Sequence, residues 1–147
     1  MDVHVRPATP SDAGDVARLS TTLGYAAGEP EMRARLNRAA SDPERAVRLA
    51  VDARGVVIGW IEVQSTEVLV SEPFALVTGL VVDAAVRGKG VGRLLVEAAE
   101  AWARERGLVA LRLRTRVERA DAHAFYERLG FELTKSQRVY RKSVTAG

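Results

Sequence analysis

Apolar residues recur along this chain at two different spacings, and each change of spacing marks a boundary between elements. Val3-His4-Val5-Arg6 alternates and stops at Pro7, which predicts a short first strand. Ser11 or Asp12 can cap the helix that follows, in which Val16, Leu19 and Leu23 recur until Gly24 ends it. A second amphipathic helix is predicted over residues 31–40, with Met32, Leu36 and Ala39 on one face and Ser41-Asp42-Pro43 as its stop. Two apolar runs, 46–51 and 56–63, flank Asp52-Ala53-Arg54-Gly55, whose glycine suits a hairpin turn, so they are read as antiparallel strands. A polar interval at 64–66 separates them from a third run, 74–82. The helix over 90–106 sets Leu94, Leu95, Ala98, Ala99 and Trp102 on one side and Arg93, Glu97, Glu100 and Arg104 towards the other, until Gly107 closes it. Residues 109–114 alternate apolar with arginine, and strand, helix and strand in that order predict a crossover joining parallel strands. A last helix over 121–129 ends at Gly130, and residues 131–134 and 137–141 are read as an antiparallel end.

The third apolar run leads into Leu80-Val81-Val82-Asp83-Ala84-Ala85-Val86-Arg87-Gly88-Lys89-Gly90-Val91-Gly92-Arg93, a strand, a glycine turn and the start of a helix. Gly88, Gly90 and Gly92 let the backbone approach a ligand and leave several N–H groups in one concavity, which suits a phosphate. Glycines also serve ordinary strand-to-helix turns. A nucleotide P-loop is excluded because Lys89 is followed by Gly90 rather than Ser or Thr. A dinucleotide fold would carry its glycines early, whereas these lie past the midpoint and after antiparallel strands.

At 147 residues, with 47% apolar and 28% charged residues, the expectation is one soluble domain over 1–147 with a substantial core. No run approaches the roughly 20 apolar residues of a membrane span, and Met1-Asp2-Val3-His4-Val5-Arg6 lacks the features of a signal peptide, so a cytoplasmic location is expected. The absence of cysteine excludes disulfides, thiolate nucleophiles and cysteine metal sites. A net charge of +3 suits an anionic ligand without requiring one. Arg112, Arg114, Arg116, Arg119, Arg128, Lys135, Arg138, Arg141 and Lys142 interleave with apolar residues as the outward faces of strands do. No aromatic platform or recognition helix accompanies them, so no nucleic-acid partner is expected.

Arg87-Gly88-Lys89-Gly90-Val91-Gly92 resembles the Arg/Gln-x-x-Gly-x-Gly/Ala motif of the GNAT superfamily of acyl-CoA-dependent N-acetyltransferases. Downstream, Ala122-His123-Ala124-Phe125-Tyr126-Glu127-Arg128-Leu129-Gly130-Phe131 is similar to that superfamily's late helix, and the likeness extends over essentially the whole chain. The resemblance implies a single-domain α/β (α+β) fold. Its mixed, mostly antiparallel sheet would have six to seven strands flanked by about four helices, with a parallel strand pair splayed at the cofactor site. It implies acetyl-CoA as co-substrate, no metal, and pairing into a homodimer through the final strands. Amides from Arg87, Gly88, Lys89, Gly90, Val91 and Gly92, with Arg93 nearby, would hold the pyrophosphate. Main-chain groups of Leu80, Val81 and Val82 would meet the pantetheine arm, and Tyr126 would protonate the departing thiolate. Many members place an asparagine shortly before the late helix; here Arg116-Val117-Glu118-Arg119 stands there, and Arg119 is the candidate replacement.

Acyl transfer to an amine needs alignment, a route for one proton away from the nitrogen, and stabilisation of a developing oxyanion. The N–H of Leu80 is the candidate oxyanion donor. Some members carry a basic glutamate four residues before that position, where this chain has Leu76. Thr78, on the same strand face, could hold a water, and Glu62 or Glu72 could reach the cleft from neighbouring segments. Unaided, each glutamate reads first as a solvated surface residue, Tyr126 as a core aromatic and His123, three residues before it, as an exposed helix residue. The expected activity is transfer of acetyl to a primary amine of a small molecule. Transfer to a protein lysine or amino terminus, and a non-catalytic acyl-CoA-binding module, are the alternatives.

Overall fold

A computed structural model describes residues 2–22, 24–115 and 118–145. Leu23, which completes the first helical spacing, and Arg116 and Val117 before the last helix lie outside the described residues. The chain forms two compact units, Met1–Arg114 and Thr115–Gly147.

In the first unit, strand β1 (Val3–Pro7) leads through a 3-10 turn (Pro10–Asp12) into helix α1 (Ala13–Thr21) and then α2 (Glu29–Ala40). Strands β2 (Arg45–Asp52), β3 (Val57–Thr66) and β4 (Phe74–Val82) follow. A second 3-10 turn (Ala84–Val86), helix α3 (Val91–Glu105) and strand β5 (Leu111–Leu113) complete the unit. The sheet order is β1-β2-β3-β4-β5, antiparallel throughout except for the parallel β4–β5 pair that the crossover predicts. β4 reads as an almost unbroken apolar run because helices cover both faces of the sheet. On one face α1 and α2 pack Val16, Leu19, Met32 and Leu36 against Leu49, Val51 and Val81. On the other lies α3, where a Cβ on Gly59 would meet the Val81 carbonyl oxygen at 2.9 Å and Leu95 Cδ1 at 3.1 Å. Only glycine permits that approach.

The hairpin forms as its sequence predicts. Gly55 adopts φ +83°, and the Asp52 carboxylate accepts the amides of Arg54 and Val56, each at 2.9 Å. The corner from β1 to α1 turns on Asp12. Its buried carboxylate accepts Arg6 Nη1 at 3.0 Å and Nη2 at 2.8 Å and the Thr9 amide at 2.8 Å. Hydrogen bonding by Arg6 holds the Asp12 carboxyl below the usual carboxylate range against the opposing effect of burial. A depressed folded-state value stabilises above the unfolded value, about 3.9, and that stabilisation is lost as pH falls through the folded value beneath it. Asp12→Asn is therefore expected to cost about 2 kcal/mol at pH 7, and denaturant titrations should show the gap between the two proteins closing as pH falls below about 4.

Several elements differ from their sequence reading. α2 begins at Glu29 rather than at residue 31, since Pro30 sits in the first turn, where its missing N–H costs nothing. β3 runs through the polar interval 64–66, because Gln64, Ser65 and Thr66 pair with Leu76, Ala75 and Phe74. β5 covers three residues rather than 109–114, since β4 offers it pairing only at Ala75, Leu76 and Val77. Leu94 is exposed at the margin of the α3 stripe, while Val91, Val96 and Ala103 are buried.

In the second unit, α4 (Ala120–Arg128) ends at Gly130, which adopts φ +93°. Phe125 and Phe131 stack edge-on to Tyr126, with ring centroids 5.4 and 5.9 Å away. Residues 131–134 and 137–141 are not strands. Strand-favouring residues make a strand only where a partner ladder takes up the backbone, and the described residues supply none there; Leu133, Val139 and Tyr140 stand exposed. The sheet accordingly has five strands among the described residues, not six to seven, with four α-helices as expected.

Candidate active site

β4 is the element from which the site is built. Its ladder with β5 ends at Val77–Leu113, so residues 78–82 pair with β3 on one edge and have no ladder partner on the other among the described residues. The strand is also bulged. Glu62 faces Gly79 and Val63 faces Val77, which leaves Thr78 as an extra residue on β4. Leu80, Val81 and Val82 lie opposite Ile61, Trp60 and Gly59; since the Asp83 amide bonds to β3, alternation turns the main-chain groups of Val81 to β3 as well, and those of Leu80 and Val82 face the edge that has no ladder partner among the described residues.

Beyond Val82 the chain is fastened before it reaches the glycines. The Asp83 amide donates to the Ile58 carbonyl at 2.8 Å, and the Asp83 carboxylate accepts the Ala85 amide at 3.0 Å. Arg18 of α1 reaches the Val57 carbonyl at 3.1 Å and lies 3.9 Å from Asp83. Gly88 and Gly90 then adopt φ +81° and +84°, and a Cβ on either would meet no protein atom within 4 Å. The space above them is open. No hydrogen bond among the described residues takes up the amides of Gly88, Lys89, Gly90, Val91, Gly92 or Arg93. The last three are the first turn of α3, where the helix dipole adds to their positive character. Arg87, Lys89 and Arg93 of the same segment are exposed. The arrangement fits a diphosphate, with β4's open edge continuing from it to receive an amide-bearing arm.

The candidate proton-handling residues fall at different places. Glu72 stands exposed between β3 and β4 and makes no ion pair among the described residues. Glu62 is half-buried, accepting Thr78 Oγ1 at 2.6 Å and Arg45 Nη2 at 2.8 Å. Thr78, read from sequence as a candidate to hold a water, donates its hydroxyl hydrogen bond to that carboxylate. Leu76 is buried. Arg45 also borders a cleft of about 190 Å³ between α2 and β2 that Leu36, Ala39 and Val47 line. Tyr126 and His123 lie on α4 in the second unit, with Arg119 at its N-cap. Burial pushes the Tyr126 phenol above its ordinary value, opposed by the Arg119 charge and assisted by that of Asp121. The bulge and the Thr78–Glu62–Arg45 contacts had no signal in the sequence. No group of side chains suited to a metal ion occurs among the described residues, and no described helix is long and apolar enough to cross a membrane.

Residues 15–131 match the family model of the Acetyltransferase (GNAT) family. The aminoglycoside N(6')-acetyltransferase type 1 of Stenotrophomonas maltophilia is 36% identical over 141 residues, 93% of this chain and 91% of that protein. The fold is that of an aminoglycoside 6'-N-acetyltransferase from Acinetobacter baumannii, with a TM-score of 0.84 at 20% identity over 98% of this chain and 100% of the other. It is equally that of the acetyltransferase AAC(6')-Iy in complex with a bisubstrate analogue, CoA-S-monomethyl-acetylneamine. That comparison gives a TM-score of 0.86 at 22% identity over 97% and 99% of the two chains. The chain belongs to the GNAT acetyltransferase family. It is an acetyl-CoA-dependent N-acetyltransferase.

Proposed function

We propose that this enzyme moves acetyl from acetyl-CoA to a primary amine of a small molecule, an amino sugar of the aminoglycoside kind being the favoured acceptor. The observation that carries this reading is the run of free amides from Gly88 to Arg93 at the end of an open β4 edge. The name of the Stenotrophomonas relative supports the choice of acceptor. In this reading the amides grip the pyrophosphate, Arg87, Lys89 and Arg93 add charge, and Leu80 and Val82 align the pantetheine arm, with Val81 between them holding the strand to β3. Acetyl-CoA supplies the activated acyl group. The Leu80 N–H is the proposed oxyanion donor, a kind of contact whose loss typically costs roughly 3 kcal/mol of barrier. Arg119 is proposed to meet the cofactor as well; an Arg119→Ala protein with unchanged coenzyme A affinity removes it from that set. One N-acetyltransferase domain over 1–147, a cytoplasmic location and a homodimer belong to the same proposal, and the family match across 15–131 supports the first.

Calorimetry with coenzyme A and thiol release over aminoglycosides, polyamines and peptides test the reading together. Heat from coenzyme A with turnover of the sugar amines is the expected result. Turnover of peptides alone selects a protein acetyltransferase, and tight binding with silence throughout selects the non-catalytic module.

A further inference from the structure

The contacts around Glu62 do more than an ordinary surface ion pair requires. A bridge between exposed Arg and Glu contributes little, and a long side chain in solvent has no need of a second fixed partner. Here the Glu62 and Arg45 side chains are only 24% and 29% exposed. The second partner exists because β4 carries one residue too many: Thr78 has no residue opposite it, and its hydroxyl reaches Glu62 Oε1 at 2.6 Å while Arg45 holds Oε2 at 2.8 Å. A carboxylate has about four acceptor positions, so about two remain open. Glu62 also lies opposite Gly79, one position along from the Ile61–Leu80 pair. With strands spaced about 4.8 Å apart, its carboxylate stands one strand and one residue from the amide assigned to the oxyanion.

Trp60, two residues before Glu62, shares its face, and its ring occupies the room a side chain at Gly79 would need: a Cβ there would lie 2.5 Å from Trp60 Cη2. That face is the one α1 and α2 cover, and Trp60 packs against their cluster. The α2–β2 cleft bordered by Arg45 opens on this side too. A fixed carboxylate beside an indole is the chemistry that recognises an alkylammonium group.

Resting on the acetyl-transfer reading above, we infer that Glu62 receives the acceptor's ammonium group and takes its first proton, with Thr78 and Arg45 as the residues that position it. The steps balance. R–NH3⁺ gives one proton to the Glu62 carboxylate and becomes R–NH2. The nitrogen lone pair forms the C–N bond as the thioester C–S bond breaks, the Tyr126 phenol in its proposed role gives its proton to the departing thiolate, and the second proton of the nitrogen restores the phenol through water. Acetamide and free thiol result, and Glu62 returns its proton to water. Leu76, at the family's usual base position, then needs no replacement on β4, because the bulge brings in a carboxylate from β3.

The test uses the full chain with acetyl-CoA and two acceptors, neamine and spermidine. Glu62→Gln is expected to bind coenzyme A as the parent does and to lose about 100-fold in kcat/KM, with weaker neamine binding by calorimetry. Thr78→Val should lose about tenfold and Thr78→Ser recover most of it, a rescue that bulk packing would not produce. Glu62→Gln with coenzyme A binding intact and kcat/KM within about threefold of the parent overturns the inference. Should that variant lose coenzyme A binding as well, the Thr78 pair decides, and equal kcat/KM for valine and threonine overturns it. A parent protein that holds coenzyme A but neither binds nor acetylates either amine overturns it too. Failure to bind coenzyme A at all instead refutes the acetyl-transfer reading.

Discussion

Gly90→Ala is expected to weaken coenzyme A binding by at least about 100-fold while leaving the protein folded. Two effects act at this position, and they are separable. The φ of +84° is left-handed, so any L side chain is strained there by about 1–2 kcal/mol. The same penalty applies to Gly107, which ends α3 with φ +70° and likewise has no protein atom within 4 Å of a built Cβ. The difference lies in what fills the open space. At Gly90 it is, on the proposed reading, a diphosphate held by the amides of residues 88–93, and a methyl group there would hold it away from them. Charge-assisted hydrogen bonds contribute roughly 1.5–3 kcal/mol each, so losing two exceeds a hundredfold in affinity. Gly107→Ala should lower the melting temperature by a similar amount and leave calorimetry with coenzyme A unchanged. Equal affinity in the two variants would show that the turn's glycines serve backbone geometry alone, and the assignment of the pyrophosphate to this bend would fall.

What the chain reveals before folding follows from the range over which each signal acts. The crossover from β4 through α3 to β5 is legible because its parts are local: an apolar run, a turn needing positive φ, and a helix whose stripe returns towards the sheet. The cradle is legible for the same reason, since its glycines and its amides are the same few residues. Glu62 is not. On β3 it occupies one polar slot in an alternating strand, indistinguishable from any half-solvated glutamate, and its significance depends on a register shift against a strand sixteen residues away. Glu72 reads as well as Glu62 from sequence, yet it lies on an exposed loop without the two fixed partners. The end of the chain fails in the opposite direction. Residues 131–134 and 137–141 carry strand-favouring side chains such as Phe131, Val139 and Tyr140, but such residues state only a propensity, and the ladder partner that turns it into a strand is not encoded locally. Leu94 illustrates the margin of a helical stripe: four residues before Ala98 it reads as part of the apolar sector, yet the buried sector is centred on Val91, Leu95, Ala99 and Trp102 and extends to Val96 and Ala103 on the side away from Leu94.

Tyr126→Phe is expected to lower kcat by about 100-fold or more with coenzyme A affinity unchanged. The proposed role asks the phenol to carry its proton until a thiolate departs. Burial supports that, since it favours the neutral form and pushes the group above its ordinary value of about 10, outweighing the opposite pull of Arg119. The sign is testable. A proton donor with a raised value is fully protonated at neutral pH, so kcat should stay level through pH 9 and fall only as pH rises through the tyrosine's own titration, and this alkaline fall should be missing in the phenylalanine protein. The substitution is conservative for folding, because the ring contacts to Phe125 and Phe131 are made by the edge and face of the ring and survive removal of the hydroxyl. Arg119→Gln supplies an independent check: with its lowering charge removed, the alkaline limb should move upward in pH. Unchanged turnover in Tyr126→Phe would return this residue to an aromatic of the second unit's small core, and the leaving thiolate would have to take its proton from the nitrogen through water.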